Sequence, residues 1–454
     1  MKNVIFKLNL ILIVFIIFGC KKSAEKMSSP PHNSPKTSQQ KTITADEFGT
    51  IDAAVDSLLR ATVEEGGAPS ISAGIVVNDS LVWAKNYNGI AGLQTAYGVG
   101  SITKPFTATA ILQLYEQGLL DLDDDVNKYL PFSVRHPKFP DRPITIRMLL
   151  THQSGLDKET VNFDIYTLMR DSSLRAFAKA CGTELPKIEP WPKVNDFFEG
   201  LLTPKGAYYT RHVWIQEPGQ LQYSNIGFSL LAQIVEKIAD KSYEKYVKEH
   251  ILEPLGMINS GFNPSQLAET HAPPCARIIG KYYRTPDRRK KQIPGSMRKY
   301  IENNIIEYPV YEVLPGFVGL STTVPDLSEF MIAHMNNGRA PNRFQLLKPE
   351  TVELMHQVGT PCSDEIDIFK LKGQGMGWAV GRNGIHGHIG GQFGYLAAMI
   401  YREAETGKAG FILMINQTMR MVPDQDIVME WGRKYYLKLE ALLLKTADRM
   451  LGKS

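Results

Sequence analysis

Strand-type runs crowd the two ends of this chain and are rare between them, and that distribution limits the folds open to it. Near the N-terminal end, Ile71 to Val77 and Leu81 to Tyr87 are rich in β-branched and aromatic residues. They are joined by Asn78-Asp79-Ser80, a hairpin signal. Toward the other end, Met376 to Val380, His386 to Ile389, Leu396 to Arg402 and Gly410 to Asn416 carry the same character. Between Leu119 and about Gly316, helical and loop signals dominate. Helical spacing of apolar residues predicts helices over Asp46 to Glu65, Gln222 to Asp240, Ser242 to Leu252, Val324 to Met335 and Gln425 to about Leu444. Strands at both ends with helices between them predict an α/β fold. One antiparallel sheet is built from N- and C-terminal strands and flanked by helices, with a mostly helical region inserted. No block repeats at a fixed period, which excludes solenoids and propellers.

The first twenty residues read as a targeting segment. Lys2 and Lys7 precede an apolar run from Leu8 to Phe18, too short to span a bilayer but long enough for a signal-peptide core. The run ends in Ile17-Phe18-Gly19-Cys20, which resembles the lipobox of bacterial lipoproteins. That resemblance makes Cys20 the lipid-bearing residue and places the protein in the cell envelope, anchored to the membrane. Residues 21–45, rich in Ser, Pro, Lys and Gln, read as a disordered tether. Residues 46–440 read as the functional domain and 441–454 as a C-terminal tail. The remaining cysteines, Cys181, Cys275 and Cys362, form no C-x-x-C pair, which argues against a zinc knuckle and leaves one disulfide or three thiols open. A net charge of +4 over 454 residues leaves no footprint for nucleic acid. The basic run Arg288 to Lys291 reads as a solvated loop face.

The chemistry concentrates in Gly98-Val-Gly-Ser101-Ile-Thr-Lys104-Pro105 and the apolar run that follows, with Phe106, Ala110, Ile111 and Leu114 at helical spacing. Proline is tolerated in a helix only within the first turn, so the helix is expected to start near Ser101. Ser101 and Lys104 then share one face of that turn, a hydroxyl at the positive end of the helix dipole with an amine in reach. An N-cap serine followed by a surface lysine would read the same way. Two later stretches add to it. Tyr223-Ser-Asn225 lies just ahead of a strong helix and offers a phenol and an amide, or merely a turn tyrosine and an N-cap asparagine. Gly387-His388-Ile389-Gly390-Gly391 is a strand whose glycines bare its backbone N–H groups, or a plain glycine hairpin.

Taken in order, Ser101-x-x-Lys104, Tyr223-x-Asn225 and His388-x-Gly390 resemble the three motifs of the serine β-lactamase and penicillin-binding-protein family. The likeness is to the branch of class C β-lactamases, D-alanyl-D-alanine carboxypeptidases, D-aminopeptidases and esterases. Flanks match as well, among them Leu149-Leu-Thr-His-Gln-Ser-Gly-Leu156 and Leu252-Glu-Pro-Leu-Gly-Met257. The resemblance implies a serine hydrolase that cleaves an amide or ester through a Ser101 acyl-enzyme, with no cofactor and no metal. Lys104 and Tyr223 would move the proton, Asn225 would hold the substrate amide, and the backbone N–H groups of Ser101 and Gly391 would hold the oxyanion. A β-lactamase and a sensor that acylates without turnover are the alternatives. Histidine at 388 stands where the β-lactamase motif has lysine, and Ile389 lacks the hydroxyl that would bind a substrate carboxylate. His386 and His388 alternate onto one strand face, too few ligands for a metal site. Aromatics in and beside residues 157–211, Trp191 and Trp214 among them, are expected either to roof the cleft or to pack locally.

Overall fold

A computed structural model describes residues 51–157, 192–262, 267, 270, 275–277, 305–307, 315–361, 371–392, 395–417 and 432–452. The leader with Cys20, the tether, Arg288 to Lys291, Trp191, Cys181, Cys362 and most of residues 157–211 lie outside them.

The sheet is built as the strand distribution predicts. Its eight strands are β1 (Ile71–Val77), β2 (Ser80–Tyr87), β7 (Thr360–Pro361), β8 (Leu371–Gln374), β9 (Ala379–Gly381), β10 (Ile385–Gln392), β11 (Tyr395–Ala404) and β12 (Gly407–Ile415). Their order is β2-β1-β12-β11-β10-β9-β8-β7, antiparallel throughout, so among the described residues the first strand pairs with the last, Ile71 opposite Ile415. Two-stranded pairs join β3 (Tyr97–Gly98) to β6 (Ser321–Thr322) and β4 (Cys275–Arg277) to β5 (Ile305–Glu307).

Because side chains alternate across a strand, the sheet divides the interior in two. On β12, Ile412 and Met414 enter one core while Phe411, Leu413 and Ile415 enter the other. The second core is closed by α1 (Ala53–Glu64), which brings Val55 and Leu59, and by the last helix, α9 (Leu437–Leu451), which brings Leu439, Leu443 and Ala447. The first core lies against α2 (Thr103–Glu116), α3 (Ile146–Leu150), α4 (Val194–Leu202), α5 (Asn225–Ala239), α6 (Tyr243–Val247) and α7 (Val324–Met335), with α8 (Pro349–His356) at its margin. Phe106 of α2 stacks on Phe330 of α7 with ring centroids 3.8 Å apart. Each such large apolar side chain, fully buried, contributes about 1.5–3 kcal/mol.

Several boundaries differ from the sequence reading, each for a local reason. The first helix begins at Ala53, because the Asp52 carboxylate caps it by accepting the Ala54 N–H at 2.8 Å. Strand β9 begins at Ala379 instead of Met376, because Gly377 adopts φ +73° and turns the chain. There Gly377 donates its N–H to Leu150 O at 3.0 Å, and a Cβ at Gly377 would lie 3.1 Å from Lys104 O. The last helix runs on to Leu451, and Leu443, Ala447 and Leu451 are buried in the second core, so residues up to 451 belong to the folded unit and not to a tail. Trp214 is buried and donates its indole N–H to Leu202 O at 3.2 Å, so this aromatic packs locally. Among the described residues no helix is long and apolar enough to cross a membrane.

Candidate active site

The chain reaches Ser101 through a turn that only glycine accommodates. Strand β3 pairs with β6, Tyr97 opposite Thr322, and Val99 donates its N–H to Leu320 O at 3.0 Å. Gly100 then takes φ +52°, a left-handed conformation costly for residues with a Cβ. Gly100 to Ile102 form a single 3₁₀ turn, with Thr103 Oγ1 donating to Gly100 O at 2.8 Å, and α2 follows from Thr103. Ser101 therefore sits in the 3₁₀ turn that leads into the helix. The helix is buried from Thr103 to Leu114, so Lys104 is no surface lysine but is fully enclosed.

Lys104 Nζ donates to Ser101 Oγ at 2.9 Å and to Phe317 O at 3.0 Å. Three aromatic rings surround it, those of Tyr223 at 5.0 Å, Phe317 at 5.5 Å and Phe228 at 5.7 Å from the nitrogen. The residue before Phe317 is held in turn: Thr107 Oγ1 donates to Gly316 O at 2.6 Å and shares a 2.7 Å hydrogen bond with Tyr243 OH.

Tyr223 reaches this cage from the loop ahead of α5, a helix that packs against α2. The cap of α5 is Ser224, whose Oγ accepts the Gly227 N–H at 3.0 Å, and not Asn225 as the spacing suggested. Asn225 is instead the first helical residue, buried two positions beyond Tyr223.

The third segment comes from β10. This strand pairs with β11 along its whole length, but with β9 only at His386 and Gly387. From His388 onward its other edge meets the Ser101 turn. A Cβ at Gly390 would lie 1.7 Å from Val99 O, and a Cβ at Gly100 would lie 2.7 Å from Gly391 N. Glycine at both positions lets two backbones touch, and the contact brings the Gly391 N–H beside the Gly100–Ser101 link. His388 faces the same side, buried, with its ring 6.5 Å from that of Tyr223. Its Nδ1–H donates to Ile389 O at 2.7 Å, and burial above all holds its pKa down to about 3. The ring is therefore neutral at ordinary pH.

Ile389 turns the other way. Its side chain packs against the core on the opposite face of the sheet, so its identity answers to packing there and not to a ligand beside Tyr223. His386 also leaves the site, stacking on Tyr401 at 5.3 Å and lying 4.8 Å from His356. Among the described residues no group of His, Cys, Asp and Glu is arranged to hold a metal ion.

Ser101, Lys104, Tyr223, Asn225, His388, Gly390 and Gly391 thus converge, while Cys20 lies outside the described residues. The motif reading missed His152, within the Leu149 to Leu156 stretch. It is fully buried, and its ring lies 4.3 Å from that of Tyr223. A histidine flanked by Thr151 and Gln153 ahead of a glycine stop was the available signal, but nothing local says that it meets Tyr223.

A hydroxyl donated to by a buried amine, beside a phenol and with a strand backbone N–H close by, is an arrangement suited to acyl transfer. Among curated relatives, Beta-lactamase-like protein 2 of Dictyostelium discoideum is 35% identical over 220 residues, 46% of this chain and 35% of that protein. Protein flp of Staphylococcus aureus (strain N315) is 26% identical over 225 residues, 48% of this chain and 39% of that protein. The matched part thus spans well under half the length of these relatives. Among solved structures, the octameric penicillin-binding protein homologue from Pyrococcus abyssi superposes with a TM-score of 0.59 at 24% identity, over 83% of this chain and 75% of that one. The D-amino acid amidase from Ochrobactrum anthropi SV3 complexed with L-phenylalanine also gives 0.59, at 18% identity over 86% and 98%. The profile of the Beta-lactamase family matches residues 55–429, from the first helix past the end of β12, and encloses all seven converging residues, so this chain belongs to the beta-lactamase family.

Proposed function

We propose that this protein is a serine hydrolase that cleaves an amide or ester through an acyl-enzyme on Ser101. The observation that carries the reading is the 2.9 Å hydrogen bond from the fully buried Lys104 amine to the Ser101 hydroxyl. A serine hydroxyl is a weak nucleophile until a base takes its proton, and burial in general favours the neutral, basic form of an amine. In the first step Ser101 Oγ bonds to the substrate carbonyl carbon as its proton passes to the Lys104–Tyr223 pair. The carbonyl oxygen, now negative, is held by the Ser101 and Gly391 N–H groups. The carbon–leaving-group bond then breaks, and the departing nitrogen or oxygen takes the proton back. Water attacks the ester, and the acid and free Ser101 are released.

His388 narrows the substrate. A lysine at this position would offer a fixed positive charge to a carboxylate, whereas the His388 ring is held neutral. We therefore assign amides and esters that need no free carboxylate. Relatives described as a D-stereospecific amidohydrolase and a D-amino acid amidase, at 22% and 18% identity, are consistent with an amide substrate. The decisive experiment is labelling with a fluorophosphonate. The wild type is expected to label and S101A not at all, and equal labelling of the two would overturn the assignment. A panel of D- and L-amino-acid amides, peptides, p-nitrophenyl esters and a chromogenic cephalosporin then ranks the substrates. We further propose that the protein is exported and held at the cell envelope by lipid on Cys20. C20A should shift it from the detergent phase to the aqueous phase.

A further inference from the structure

We propose that His152 is the positioning residue for Tyr223 and sets the orientation of the phenol in proton transfer. The proposal rests on the acyl-enzyme reading above. Both peptide neighbours of Tyr223 hang on this one histidine. Gln222 donates its N–H to His152 O at 2.7 Å, and Ser224 donates its N–H to His152 Nδ1 at 3.1 Å. The tyrosine between them is thereby pinned on both sides, and its ring lies against the imidazole at 4.3 Å with the planes 31° apart.

The backbone of His152 is shaped for this double grip. It adopts φ +59°, uncommon for a residue with a side chain. The conformation follows the end of α3, where the His152 N–H donates to Leu149 O at 3.3 Å. Its carbonyl and its imidazole are thereby both turned to the 222–224 segment. Phe228 packs at 5.0 Å from the imidazole and fixes it from another side. Since Nδ1 accepts the Ser224 N–H, it carries the lone pair, and the ring proton of the neutral form sits on Nε2. Burial keeps the ring in that neutral form. A second proton, on Nδ1, would meet the Ser224 N–H head-on and break the grip. The chain that results runs from His152 through Tyr223 to Lys104 Nζ, 5.0 Å from the phenol ring, and on to Ser101.

Two substitutions separate the grip from the ring. H152N places an amide oxygen near the Nδ1 position and tolerates a positive φ, but removes the aromatic face. H152F keeps a ring and removes the acceptor. Acylation by a p-nitrophenyl ester and its pH profile are measured per fluorophosphonate-titrated Ser101 site, so unfolded protein does not enter the rate. A misplacement of about 1 Å costs about 100-fold. H152F is expected to lose about that much in kcat with little change in KM, and to shift the limb of the pH–rate profile set by the proton-transfer groups. H152N is expected to recover at least tenfold of it. A purely structural histidine would lower the yield of titratable sites and leave rate per site and pH profile as in the wild type, and that result overturns the proposal. If H152F yields no titratable sites, H152N is compared with H152Q, whose acceptor lies one bond too far. H152N faster by tenfold supports the grip, and equal rates overturn it. Failure of the parent reading would show separately, as wild-type labelling that does not depend on Ser101.

Discussion

Substituting Gly390 by alanine tests whether the Ser101 turn and β10 touch as described. The added Cβ would lie 1.7 Å from Val99 O, 2.8 Å from Val99 C and 3.2 Å from Ile102 N. Since such atoms do not approach closer than about 3.0 Å, the turn must retreat from the strand by at least about 1.3 Å. All three atoms it would meet are main-chain, so no side chain can swing away to relieve the clash. Val99 is itself tied to Leu320 by a 3.0 Å hydrogen bond, which resists the retreat. Overpacking of this kind costs about 1–3 kcal/mol in stability. A nucleophile displaced by about 1 Å loses about 100-fold in rate, so the acylation rate should fall by at least that factor while the melting temperature falls by only a few degrees. Gly391 is the internal comparison, because a Cβ there meets nothing within 4 Å and leaves the N–H in place. G391A should keep its stability and lose far less activity than G390A. The assay is the rate of fluorophosphonate labelling beside a thermal melt for each variant. A G390A protein that labels as fast as the wild type, or a G391A protein impaired as badly as G390A, would refute the packing of strand against turn.

Two further outcomes follow from particular side chains. I389T should leave discrimination between carboxylate-bearing and neutral substrates unchanged and cost about 1 kcal/mol of stability, because residue 389 packs on the far face of the sheet. A gain in selectivity for carboxylate substrates, read from kcat/KM on matched acids and amides, would contradict that placement. Acid should destabilise the fold. His334 and His388 are held to about 3 by burial, His152 and His356 well below the ordinary 6.5, and His386 is lowered as well. Between pH 6.5 and about 3 the unfolded chain binds protons that these buried rings refuse, so stability falls as pH drops, by up to about 1 kcal/mol per pH unit for each. Asp326, raised by burial to about 6, and Glu329, raised to about 7, act in the opposite sense from about pH 7 down to their ordinary range near 4. Glu236 and Asp448 are raised as well and His136 is lowered, and six depressed histidines against four raised carboxyls leave the net sign unchanged. Urea midpoints at pH 7.5, 6.0 and 5.0 should therefore decrease in that order, and a flat or rising series would refute the account.

The sheet was legible because its strands carry their signal locally. The β1–β2 hairpin announces itself by β-branched runs around Asn78-Asp79-Ser80, and β12 by alternation that sends Ile412 and Phe411 into different cores. The reactive pair was legible for a related reason, since Ser101 and Lys104 lie within one turn of chain and a proline marks where the helix can start. What stayed hidden were properties set by distant partners. Nothing near Lys104 announces its complete burial, which comes from Phe317 and Phe228, more than a hundred residues away. The capping role went to Ser224 and not Asn225, because His152 holds the Ser224 N–H and fixes where the helix begins. Position 389 read as a lost ligand contact, because composition at a motif does not tell which face of the strand a residue takes.

The same distinction explains how one site arises from three weak motifs. Each motif contributes functional groups that its own neighbourhood can supply, and each has an ordinary structural explanation when taken alone. Their convergence depends on β10 keeping β11 along its length while parting from β9 after Gly387, which leaves one edge of residues 388–392 to meet the Ser101 turn. A strand edge normally needs another strand to satisfy its backbone groups. Here the Ser101 turn lies against that part of the strand, and glycine at 100 and 390 removes the side chains that would hold the two apart. The Gly391 N–H is therefore brought beside the Ser101 turn by main-chain contact, while the Lys104 amine reaches the hydroxyl through its side chain. Substitutions at these glycines should thus disturb the reaction more than many changes at side chains lining the cleft, although neither glycine carries a reactive group.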